Sequence, residues 1–267
     1  ERIRTTDIGL DLGFLNNELT VGFDWYQREN RDMLAPAQVL PNSVGATAPY
    51  DNAGTLRTRG WELNLDWHHK FGEFNVYANF NLSDSKTKVT KWNNDTKLLS
   101  SYYSGKNYGD IWGFETDRYF EESDFTGQNA DGSWNYKPGI AGQSALERAP
   151  FHYGPGDIKF KDLDGSGAID GGKGTADDHG DLKIIGNTTP KYSFGINLNL
   201  GYKGFEVSTL LQGVAKRDFP ISGSNYMFGG NNYNFKEHLD YFSTENPNGY
   251  LPRLTGWKDD KDFLVDT

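Results

Sequence analysis

The side chains best suited to chemistry lie in one aspartate-rich stretch. Asp162, Asp164, Ser166, Ala168 (through its carbonyl) and Asp170 fall at the first, third, fifth, seventh and ninth places of an EF-hand-like loop. Gly167 takes the turn position and Ile169 the apolar one. Hard oxygen donors at this spacing wrap a Ca²⁺ ion. The closing position, usually a bidentate Glu, is Lys173, which leaves Asp177 or Asp178 in the glycine-rich stretch beyond to replace it. The competing reading is a solvated Asp-Gly turn.

Other chemistry is absent from the pattern. The 5 histidines have no zinc spacing; His68 and His69 are adjacent, so a strand would point them to opposite faces. There is no G-x-S-x-G elbow, phosphate loop or dinucleotide fingerprint. Acid pairs such as Glu121-Glu122 and Asp259-Asp260 are generic in an acidic chain. The sequence therefore does not read as an enzyme. Trp112, Trp134, Tyr226 and Tyr233 are candidates for substrate contact, because flat rings stack on sugars and peptide groups. The same rings would equally serve to hold long loops together.

Those features need elements to position them, and composition narrows the choice. Aromatics make up 15% of 267 residues while the hydrophobic share is only 36%, with 32 Gly. That profile suits many strands with polar loops, either a water-lined barrel or a secreted sandwich. A net charge of −10 argues against nucleic acid as a partner. With no cysteine, disulfides and thiolate metal sites are excluded. No apolar run is long enough for a membrane-spanning helix, and Glu1-Arg2-Ile3-Arg4 does not open a signal peptide. The chain is thus expected to start after processing or within a longer product.

Alternation with period two is the dominant signal. It predicts six strands, at about 5–14, 18–29, 57–68, 73–84, 190–200 and 204–213. Trp61, Leu63, Leu65 and Trp67 oppose Glu62, Asn64 and Asp66; Phe74, Val76, Ala78, Phe80 and Leu82 oppose Asn75, Tyr77, Asn79 and Asn81. Short turns join the strands in pairs, whereas long loops (30–56, 85–189 and 213–262) separate the pairs. Segment 109–120 reads as a small strand inside the largest loop. Short turns at one end and long loops at the other are the pattern of an outer-membrane barrel, with the loops outside. Trp61 and Trp67 would lie roughly 15 Å apart along the membrane normal, as interfacial anchors. The rival is a soluble extracellular β-rich module binding glycan and calcium, whose second sheet would cover those same rings.

Several segments carry a family resemblance. Asn52-Ala53-Gly54-Thr55-Leu56-Arg57-Thr58-Arg59-Gly60-Trp61-Glu62 resembles the N-x-G-x-x-x-N-x-G-W/V-E segment of SusC/RagA-like TonB-dependent transporters. Gly156-Asp157-Ile158-Lys159-Phe160-Lys161-Asp162-Leu163-Asp164-Gly165 is similar to their G-D-I-K-Y-x-D-x-N-G-D-G loop. Pro190-Lys191-Tyr192-Ser193-Phe194-Gly195, then Tyr202-Lys203-Gly204-Phe205 and Gln212-Gly213, resemble the following hairpin, and Glu245-Asn246-Pro247-Asn248-Gly249-Tyr250-Leu251-Pro252-Arg253 a late external loop. Thr58 and Ser166 depart from the pattern, standing where Asn and Asp are common.

The resemblance implies an all-β fold, an antiparallel transmembrane β-barrel segment that is part of a 22-stranded plugged barrel with long external loops. It implies that a plug and earlier strands precede this portion and that further strands follow. It further implies import of oligosaccharide or oligopeptide nutrients across the bacterial outer membrane. The partners implied are outer-membrane lipid, the TonB complex acting through the plug, and a SusD-like surface lipoprotein, the transporter–lipoprotein pair itself forming a dimer.

Overall fold

The computed structural model describes residues 1–36, 50–148, 151–220, 236–243 and 245–253. Six strands form one sheet: β1 (Arg2–Phe14), β2 (Leu19–Pro36), β3 (Tyr50–Phe71), β4 (Phe74–Lys91), β11 (Lys191–Tyr202) and β12 (Phe205–Lys216). They lie in the order β1-β2-β3-β4-β11-β12, and every neighbouring pair is antiparallel. Between β4 and β11 come short strands: β5 (Asp110–Phe114), β6 (Thr116–Tyr119), β7 (Phe125–Gln128), β8 (Trp134–Tyr136), β9 (Ile158–Phe160) and β10 (Leu182–Asn187). These pair as β5–β10, β6–β9 and β7–β8. Segment 109–120, expected as one strand, is two, interrupted at Glu115.

Alternation becomes two chemically distinct faces because side chains on a strand point to opposite sides. One face of β3 presents Trp61, Leu63, Leu65 and Trp67, continued by His69 and Phe71. Its register partners extend the apolar surface sideways: Trp25 opposite Trp61, Leu63 between Phe23 and Leu82, and Ile196 opposite Phe80 and Leu211. From Trp61 to Phe71 a strand tilted by about 40° rises roughly 25 Å, the height of the apolar band of an outer-membrane barrel. Much of this face is bare: Ile8 is 65% exposed, Val207 and Leu211 61% and 56%, and Phe205 81%. Apolar surface on that scale is what a strand surface meant for lipid leaves uncovered.

The other face is held by a ladder of polar bonds. Asn79 donates from Nδ2 to Asn64 Oδ1 and Asp66 Oδ1, each at 2.9 Å, and Tyr77 donates its hydroxyl to Asp66 Oδ1 at 2.8 Å. Asn81 donates to Asn79 Oδ1 at 3.4 Å. On this face the ring of Tyr26 lies over Gly60, where a Cβ would come within 2.5 Å of it. Glycine is needed there for the close approach.

The turns explain the tight pairing. Lys203 and Gly204 have φ of 45° and 89°, the doubly positive pattern that matches the twist of a two-residue hairpin. Leu15, Asn16 and Asn17 are left-handed in succession, with the Glu18 N–H returning to the Leu15 carbonyl at 3.1 Å. Beside this turn His69 Nδ1 lies 2.6 Å from Glu18 Oε2, and Phe71 meets the His69 ring edge-on at 4.3 Å.

At the opposite end the strands outrun their sequence signal. β2 continues to Pro36, β3 begins at Tyr50 and β4 reaches Lys91, so much of the expected loop 30–56 and the start of 85–189 is hairpin. The backbone ladder persists there, but the outward side chains change from apolar to charged. An apolar alternation cannot report strand beyond the apolar band.

Residues 112–185 and 220–267 make a separate compact unit from residues 1–111 and 186–219. Its core is Phe120, Phe125, Tyr153, Phe160 and Ile169, with Phe114, Trp134, Tyr136 and Phe151 packed against it. Burial pushes the Tyr136 hydroxyl up to about 12. This ring-filled core stabilises a segment too long to be an unsupported loop.

Candidate functional site

The aspartate stretch folds as a tight series of turns. Asp162 accepts backbone N–H bonds from Gly165 (2.7 Å), Ser166 (3.2 Å) and Gly167 (2.9 Å). These bonds, that from Gly167 foremost, hold the Asp162 carboxyl below its ordinary range. Gly165 and Gly167 supply the positive φ, 76° and 81°, that brings those N–H groups round. Asp164 accepts the Ser166 N–H at 2.8 Å, and the Ser166 hydroxyl donates to the Ala168 carbonyl at 2.9 Å.

The third carboxylate is Asp181, which the spacing argument did not find. Oxygens of Asp162, Asp164 and Asp181 lie within 4.8 Å of one another. Asp181 is fully buried and accepts N–H bonds from Leu163 (2.6 Å) and Asp170 (3.0 Å). Its own N–H returns to the Asp170 carbonyl at 2.9 Å. Residues 171–180 are therefore an excursion closed at its base, and Asp181 follows Asp170 in space although not in sequence. Within the excursion Asp178 pairs with Lys173 at 3.1 Å and is not among the three converging acids. Asp170 uses Oδ1 to accept the Gly172 N–H at 2.7 Å and lies outside the carboxylate triad. Three acids converge with backbone N–H groups as their bonded partners, an arrangement suited to a hard divalent cation.

The ring candidates have different fates. Trp134 packs on Phe125 at 5.2 Å and lies against Gly154, within the core of its unit. Trp112 faces His179 at 5.3 Å, and its Nε1 is buried without a hydrogen-bond partner among the described residues. Tyr226 and Tyr233 lie outside the described residues. A further cluster joins Trp92 edge-on to Tyr102 (5.1 Å), which stacks on Tyr108 (5.9 Å). Lys106 lies over Tyr102 and donates to the Leu99 carbonyl at 2.9 Å; burial lowers its ammonium pKa.

Ion pairs help to fix the compact unit. Glu115 bridges Lys161 and Lys183, which hold its carboxyl down to about 2. Arg253 grips Asp157 in bidentate fashion, Nε to Oδ1 at 2.9 Å and Nη2 to Oδ2 at 2.7 Å, and also reaches the His152 carbonyl at 3.0 Å. Burial nevertheless pushes the Asp157 carboxyl up, against the pull of Arg253.

Residues 1–141 match a family model described as TonB dependent receptor-like, beta-barrel. The chain is 28% identical over 226 residues to TonB-dependent receptor P3 of Formosa agariphila, covering 79% of this chain and 20% of that protein. It is 26% identical over 220 residues to TonB-dependent receptor SusC of Bacteroides thetaiotaomicron, covering 79% and 19%. Among solved structures, the RagAB peptide transporter superposes with a TM-score of 0.61 at 20% identity, over 94% of this chain and 26% of that one. The chain thus spans about a fifth of the length of these curated relatives.

Proposed function

The chain belongs to the TonB dependent receptor-like β-barrel family, whose members are receptors and transporters rather than enzymes, and we propose that it supplies part of the wall of an outer-membrane importer. One observation carries this reading: a single six-stranded sheet has a bare apolar face about one bilayer core tall and a hydrogen-bonded polar face behind it. Such a wall separates lipid from a wet lumen. The cargo is an oligosaccharide or oligopeptide, with a SusD-like lipoprotein over the external loops and TonB driving release. The relatives' description as TonB-dependent receptors supports TonB as the drive, and the likeness to the RagAB peptide transporter supports oligopeptide among the cargoes. The test is uptake by the native host lacking the full-length gene. Loss of labelled oligopeptide or oligosaccharide uptake, restored by the gene, is expected. Unchanged uptake of both, with the protein recovered in the aqueous fraction, would overturn the reading.

We also propose that Asp162, Asp164 and Asp181 hold Ca²⁺ and so pin the turn to the buried base of the excursion. Calorimetric titration of the chelator-treated full-length protein should show binding that Asp164→Ala weakens at least about tenfold, the loss of one carboxylate ligand. Lys173→Gln, at the formal closing position, should leave it unchanged. Equal heats for Asp164→Ala and wild type would remove the metal.

A further inference from the structure

The outward face changes character at the long-loop end of every strand from β1 to β4. In β3, Trp61 is followed on the same face by Arg59 and Arg57; in β4, Leu82 is followed, past Asp84, by Lys86 and Lys88. In β1, Arg4 and Arg2 succeed Ile8 and Thr6, and Arg31 stands opposite Arg2 in β2. Register aligns these as rows: Arg59 faces Lys86, Arg57 faces Lys88, and Arg2 faces Arg31. Like charges directly opposite on neighbouring strands destabilise a sheet unless an anion lies between them.

The acids present do not neutralise the rows. Glu29 is taken by Arg57 (2.7 Å) and Arg31 (2.9 Å), Asp32 by Arg2 (2.7 Å), and Asp84 by Lys191 (3.4 Å). Among the described residues Arg59 meets only the neutral Gln27, at 2.8 Å. Arg4, Lys86 and Lys88 are exposed and have no side-chain partner among the described residues. This excess of cations occurs in a chain of net charge −10. At the other end the bias is missing; there Lys203 is paired with Glu73 at 3.2 Å.

We propose that these rows are a docking belt for the phosphate-bearing headgroups of outer-leaflet lipids. The belt begins one residue pair beyond the Trp25–Trp61 row, where the apolar band ends and headgroups lie. Guanidinium and ammonium groups spaced by neighbouring strands match a lipid carrying phosphate, whose acyl chains lie along the apolar face below. The inference rests on the outer-membrane placement proposed above.

The test uses the full-length protein in non-ionic detergent with diphosphoryl lipid A, dephosphorylated lipid A, or inorganic phosphate. Wild type should bind the phosphorylated lipid, reject the dephosphorylated one, and keep its lipid against free phosphate. The triple variant Arg4→Gln/Lys86→Gln/Lys88→Gln should bind at least about tenfold more weakly, since each basic group near a charged lipid surface contributes about fivefold. Lys203→Gln should bind as wild type does. Equal binding by the triple variant, equal binding of the dephosphorylated lipid, or displacement by free phosphate would each overturn the belt. Fractionation separates the two claims. A triple variant that reaches the outer membrane yet binds normally refutes the belt alone, whereas wild type missing from that membrane refutes the placement.

Discussion

Replacing Leu65 with arginine should strip most of the full-length protein from the outer membrane, whereas Glu62→Arg should leave its level near wild type. The two positions are three residues apart on β3 and so lie on opposite faces. Leu65 stands near the middle of the Trp61–Phe71 band, beside Val21 and Phe80 in register. An arginine at the bilayer midplane costs about 2–4 kcal/mol, enough to unbalance insertion of a marginally stable wall. Glu62 is exposed on the polar face opposite Asp24, so an arginine there removes a repulsion and gains a partner. Quantifying each variant in the outer-membrane fraction checks the pair. Equal loss from both positions would mean that the two faces are not chemically distinct.

The second large effect is expected at Arg253. Truncation to alanine leaves the Asp157 carboxylate buried with only the Gly154 N–H, at 2.7 Å, as a partner among the described residues. Removing one partner of a buried pair costs about 3–5 kcal/mol. The low end applies, because Arg253 is itself about a third exposed and its charge is partly screened. The loss should appear as faster proteolysis within 112–185 of the full-length protein while the strands stay protected. Asp157→Asn in the same chain should restore part of the resistance, since it removes the stranded charge. Burial already raises the Asp157 pKa, so the folded state takes up a proton more readily than the unfolded one. Stability from that proton is present at low pH and lost as pH rises through the raised value. The gap between Arg253→Ala and wild type should therefore narrow as pH falls toward that value.

The strands of the apolar band were legible because lipid imposes alternation on them: Leu63 and Leu65 cannot exchange faces with Asn64 without exposing amide to hydrocarbon. Their outer ends were not legible, because in β4 Lys86, Lys88 and Lys91 give a strand pattern that reads as polar loop. At the aspartate loop, counting found Asp162 and Asp164 but missed Asp181, since residues 171–180 are looped out by a backbone closure that no spacing rule records. Trp134 shows the same limit for rings. Its type suits cargo, yet only packing against Phe125 reveals that it serves the core. The pairing of Trp25 with Trp61 was likewise invisible, because it depends on register between strands.

The central claim is that this segment is membrane wall with its tryptophan face outward. Spin labels on single cysteines at positions 62 to 66 of the full-length protein in lipid vesicles test it most directly, and this segment contributes no cysteine of its own. Positions 63 and 65 should be accessible to oxygen dissolved in the bilayer, and positions 62, 64 and 66 to a water-soluble nickel chelate. Uniform access to the chelate, or no alternation between neighbours, would contradict the account.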